Sequence, residues 1–152
     1  MNRRHLLLTV PGVALAGLSR AAAEQAVPPL ADAATLAARA AKRYPQPVRV
    51  GDLIGRDVLQ PLESQPILGR VSEIVRRPDG GLDFVIAFGG FLGFGSRPIA
   101  VPADAMALLG EWVAVLDFTP AQLATFPTAD LGAFTPLPAD TTIRVGLTKP
   151  FH

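Results

Sequence analysis

From Val48 to Phe118 the chain alternates short runs of β-branched and aromatic residues with breaks at Gly, Pro and Asp, the pattern of an all-β domain. The pattern predicts strands over 48–50, 56–59, 67–76, 82–88, 98–101 and 111–118. In the fourth of these, Leu82, Phe84, Ile86 and Phe88 share one face while Val85 and Ala87 make the other face apolar too. Such a strand is central and covered on both sides. Arg77-Pro78-Asp79-Gly80-Gly81 ahead of it is a hairpin turn, with proline presetting φ and glycine taking the left-handed position. In the last run, Trp112, Ala114, Leu116 and Phe118 line one face.

Outside this stretch the periodicity changes. Thr119-Pro120-Ala121-Gln122 opens a short helix: Thr119 caps, Pro120 suits the first helical position and Gln122 completes a capping box. Residues 128–152 form a tail, irregular until a last strand over 141–148 with Ile143, Val145 and Leu147 on one side. Upstream, residues 24–47 are rich in alanine and bounded by prolines, with a helix-compatible middle whose one face is small residues. A face so poor in large side chains buries little. It reads as a helical spacer before a domain at 48–127, with docking onto that domain as the alternative.

The first residues carry a different signal. Arg3 and Arg4 precede an apolar run from Leu6 to Leu18, and Ala21-Ala22-Ala23 offers a small-residue cleavage site. Residues 1–23 therefore read as an export signal, its apolar run too short for a comfortable membrane span, with a membrane-tethered N-terminus as the alternative. Asn2-Arg3-Arg4-His5-Leu6-Leu7 resembles a twin-arginine motif, the ordinary secretory route being the alternative. The expected location is periplasmic. Cleavage after Ala23 takes three arginines and no acid from 14 basic and 13 acidic side chains, moving the formal charge from +1 to −2. Near-neutral charge with scattered Lys and Arg argues against a nucleic-acid footprint.

Candidate chemistry is sparse. The chain has no cysteine, so it uses neither disulfides nor thiolate metal sites, and its only histidine beyond the signal is the terminal His152. The acids stand as singles, without the alternating oxygen ligands of a calcium loop. Serine hydrolysis lacks a histidine base and a G-x-S-x-G elbow. No cofactor or metal is expected. The densest feature is Gly89-Gly90-Phe91-Leu92-Gly93-Phe94-Gly95, which matches neither the dinucleotide fingerprint nor the phosphate loop, and a strand rather than a helix follows it. Backbone freedom and large apolar area at one place suit a corner of a small barrel. Phe91, Leu92 and Phe94 either cap a core or form an apolar contact for a partner.

The series Val48-Arg49-Val50-Gly51-Asp52-Leu53-Ile54-Gly55-Arg56-Asp57-Val58, Ile67-Leu68-Gly69-Arg70-Val71-Ser72-Glu73-Ile74-Val75, the Pro78-Asp79-Gly80 turn and the glycine loop running into Ile99-Ala100-Val101-Pro102 resembles the PRC-barrel family over about residues 48–127. The resemblance implies a small, mostly antiparallel β-barrel that acts by docking onto larger assemblies, with no catalysis of its own. Export removes the chain from the ribosomal and photosynthetic partners of the named members, so the expected partner is another protein or an envelope component. The rival expectation is a small-ligand carrier or enzyme with Asp52, Arg56, Arg70 and Arg97 gathered at one barrel mouth.

Overall fold

The computed structural model describes residues 31–62, 64–90 and 94–149. The expected export signal and its cleavage site, together with Phe91, Leu92 and His152, lie outside the described residues. The protein is predominantly β. Helix α1 (Ala31–Ala41) leads into β1 (Gln46–Arg49), a single turn α2 (Val50–Leu53), β2 (Asp57–Leu59), β3 (Ile67–Arg76), β4 (Leu82–Phe88) and β5 (Arg97–Pro102). A 3-10 turn at Ala103–Ala105 precedes β6 (Met106–Leu109) and β7 (Trp112–Val115). Helix α3 (Pro120–Ala124), a second 3-10 turn at Leu131–Ala133, the two-residue β8 (Thr135–Pro136) and β9 (Thr142–Leu147) complete the order.

All strands join one sheet in the order β1-β9-β6-β7-β2-β3-β4-β5, with β8 added to β3. Two features depart from the expected closed, mostly antiparallel barrel. The path is open, with β1 and β5 at its edges, and it is mixed: β2 runs parallel to β7 and β6 runs parallel to β9. From the tail, β9 inserts between β1 and β6 and gives each a partner from beyond residue 127. The sheet therefore extends past the 48–127 domain on both sides. At the other edge, Pro98 and Pro102 remove two donors from β5, and the Ala129 N–H reaches the Pro98 carbonyl at 2.8 Å, which blunts that edge.

Strand β4 is buried on both faces, from Asp83 through Ile86. Phe84 and Ile86 pack with Val58, Val71, Ile74, Ile99, Val101, Met106, Val113 and Val115 in the main core. Leu59, Leu109 and Ala114 form a second cluster under Trp112 and Leu116. Trp112, expected to share a face with Ala114, Leu116 and Phe118, opens a strand that ends at Val115.

Helix α1 is docked rather than a spacer. Its one large apolar side chain among the described residues, Leu36, is buried in the main core. Arg39 Nη1 and Arg43 Nη2 then hold the two oxygens of Asp117 at 3.0 and 2.8 Å, and Arg43 Nη1 donates to the Asp104 carbonyl at 2.9 Å. The small-residue face buries little, as composition dictates, so charge pairing to a distant loop supplies the missing attachment. At α3 the capping box forms in both directions, Thr119 N–H to Gln122 Oε1 at 2.9 Å and Gln122 N–H to Thr119 Oγ1 at 3.2 Å.

Candidate functional site

Register decides which loops share an end of the sheet. β2 is parallel to β7 (Leu59 beside Ala114) and antiparallel to β3 (Asp57 beside Arg70), while Gly69 faces Phe88 and Phe88 faces Arg97. The C-terminal ends of β2, β4 and β7 therefore meet the N-terminal ends of β3 and β5. Loops 60–66, 89–96 and 116–119 converge there.

This end is apolar. Phe94 is 81% exposed, Ile67 65% and Leu62 49%. Beside Leu62 a cavity of about 290 Å³ is lined by Gln60, Pro61, Leu116, Asp117 and Phe118, and Phe118 stacks edge-on against Phe126 with ring centroids 5.1 Å apart. The glycine loop holds Phe94 outward by its own geometry. Gly90 has φ of 80°, and a Cβ there would come within 2.5 Å of the Phe94 carbonyl and 2.7 Å of the Ser96 nitrogen, so the two sides of the loop close on each other at that point. Leu62 and Ile67 escape a sequence reading because their position depends on the pairing of β2 with β3, and no local pattern marks it.

At the base of the same loop, Arg97 fastens β5 to the end of α3. Its guanidinium donates to the Ala124 carbonyl at 2.7 Å and to the Phe126 carbonyl, and lies over the Phe88 ring 5.9 Å from its centroid. Arg97 is thus set apart from the other three residues of the expected mouth. Arg70 and Arg56 take different partners nearby: Arg70 Nε meets Asp57 Oδ1 at 3.1 Å, and Arg56 Nε donates to the Asp52 backbone carbonyl at 2.6 Å. Asp52 joins through its main chain, not its carboxylate. Of these residues, Arg56 and Asp57 line a second, open cleft at the N-terminal ends of β2 and β7.

The remaining charged cluster lies at the β3–β4 turn. Arg77 Nε contacts Asp79 Oδ1 at 3.2 Å and its Nη1 donates to Asp83 Oδ1, the side chain passing so close over Gly81 that a Cβ there would collide with it. Asp83 is only 4% exposed. Burial pushes its carboxyl above the ordinary value of 3.8, against the opposing pull of Arg77. Asp79 moves the other way, lowered first by the Gly81 N–H and then by Arg77. The turn satisfies itself: Gly80 N–H bonds to the Arg77 carbonyl at 2.9 Å and Arg77 N–H to the Gly81 carbonyl at 2.8 Å.

Among the described residues no group of three or more His, Cys, Asp or Glu is placed to hold a metal ion, and no buried side-chain polar atom lacks a partner. No described helix is long and apolar enough to cross a membrane. No family model, curated protein or solved structure matches the chain, so the PRC-barrel resemblance rests on its own residue series.

Proposed function

We propose that this protein is an exported, non-enzymatic binding module of PRC-barrel type that docks onto a protein or envelope component in the periplasm through the end of the sheet carrying the 89–96 loop. The observation that carries this reading is Phe94, 81% exposed on a loop whose backbone closure keeps it there, with Ile67 and Leu62 exposed at the same end. Large apolar side chains gathered at one end of a small domain mark a contact surface more often than a solvated one. The fall of the family-like series onto β1 to β5 in chain order supports the PRC-type relationship, although the sheet here is not closed into a barrel.

The test is a capture experiment from envelope extract. Wild type should retain a discrete partner that Phe94→Ser and the Phe91→Ser/Phe94→Ser pair lose, with circular dichroism unchanged. An identical set of captured proteins for all three removes the loop from the contact.

A further inference from the structure

The open cleft at the opposite end of β2 and β7 has the chemistry of a separate binding site. Its volume is about 450 Å³, and Ile54, Gly55, Arg56, Asp57, Glu111 and Trp112 line it. Small-molecule sites usually measure about 300–1,000 Å³. One wall is the turn between α2 and β2, the other the turn between β6 and β7, and Arg56 spans them.

Arg56 is fixed from both sides. Nε donates to the Asp52 carbonyl at 2.6 Å and Nη1 to the Gly110 carbonyl at 3.2 Å, which leaves Nη2 without a partner among the described residues. Asp57 uses Oδ1 for Arg70 at 3.1 Å and keeps Oδ2. Glu111 has no ion pair among the described residues. Trp112 is half-buried and packs on the Leu59, Leu109 and Ala114 cluster, so its indole is held in place. The lining carries charge of both signs, Arg56 against Asp57 and Glu111.

We infer that this cleft binds a neutral saccharide. A ligand with net charge of either sign meets a like charge in the cleft, whereas sugar hydroxyls donate and accept, and so can satisfy the Arg56 fork and the two carboxylates together. The indole offers the apolar body on which the C–H face of a sugar ring lies. Preorganisation of Arg56 by two backbone carbonyls lowers the ordering cost of such a contact. This inference goes beyond the docking reading, and the two sites occupy different ends of the strands.

Trp112 is the only tryptophan of the chain, so its emission reports the cleft directly. The full chain is titrated with neutral hexoses, pentoses, N-acetylhexosamines and their disaccharides, with glycine betaine and phenylalanine as zwitterionic controls. The expected result is a saturable change in Trp112 emission with at least one saccharide. Replacing a carboxylate acceptor or the Arg fork removes a charged hydrogen bond, so Glu111→Gln and Arg56→Met should each raise half-saturation about tenfold. Phe94→Ser should leave the titration unchanged, which separates this site from the docking end. No saturable change with any saccharide, a response to the zwitterions alone, or a saccharide response that survives Glu111→Gln unaltered overturns the inference. Glu111→Gln decides if Arg56→Met fails to fold, because Glu111 is exposed.

Discussion

The two ends of β4 make opposite use of their loops. At its N-terminal end a five-residue turn closes on itself: Arg77 answers both Asp79 and Asp83, and the backbone bonds between Arg77, Gly80 and Gly81 leave nothing for a partner. At its C-terminal end the 89–96 loop also closes its backbone, at Gly90, yet it turns Phe94 into solvent beside Ile67 and Leu62. One end spends its side chains internally and the other leaves apolar area uncovered. On the proposed reading, the difference separates a turn that serves folding from a loop that serves contact.

Breaking the part shared by both ends gives the largest effect. Phe84→Ala empties a fully buried site in the middle of β4 and should cost about 3–5 kcal/mol in denaturant unfolding, loosening both loops together. Arg77→Ala acts on the closed end alone. It should cost about 2 kcal/mol, because Asp83 then takes up a proton rather than stay buried and charged without a partner.

The same cluster gives a pH dependence of determined sign. With its folded value raised, Asp83 keeps its proton in the folded protein to higher pH than in the unfolded chain. Its contribution is therefore greatest below the ordinary value of 3.8 and falls as pH rises from there through the folded value. Wild type's stability advantage over Asp83→Asn should therefore shrink as pH rises across that window and then level off, as read by denaturant midpoints at a series of pH values. Asp79, with its value lowered, contributes above 3.8 and loses that contribution as pH falls through its folded value, so the Asp79→Asn difference should run the other way.

On the open end the effects on stability are smaller. Gly90→Ala forces a side chain into a left-handed position and against the facing loop backbone, at about 1–2 kcal/mol, and should displace Phe94 as seen by hydrogen exchange across the loop. Phe94→Ser should change stability by less than about 0.5 kcal/mol, since the side chain is already in water. A cost above 1 kcal/mol would mean that Phe94 packs in solution, and the contrast between the two ends would fail.

Much of the closed end is legible in the sequence. β3 and β4 occupy the expected residues 67–76 and 82–88, because β-branched runs bounded by a proline–glycine turn leave few alternatives. The capping box of α3 is equally local. β6 is not legible: Met106-Ala-Leu-Leu109 consists of good helix formers, and only pairing with β7 and β9 makes it a strand. The docking of α1 depends on Asp117, far away in sequence from Arg39 and Arg43, and that partner cannot be read from alanine spacing. For the same reason the expected mouth splits. Arg70 pairs with Asp57 and Arg56 bonds the Asp52 carbonyl, while Arg97 goes to the end of α3, because strand register and not residue type decides where each arginine lands.

Exposure alone is not docking, and the molecule carries its own control. Tyr44 is 78% exposed, almost as much as Phe94, but precedes β1, which lies at the opposite end of the sheet order from β5, the strand that follows Phe94. Replacing each in turn by a photo-crosslinking phenylalanine derivative, in the full chain in intact cells, tests the central claim most directly. A discrete crosslinked adduct from position 94 and none from position 44 is the predicted result. No adduct from 94, or the same adducts from both positions, contradicts it.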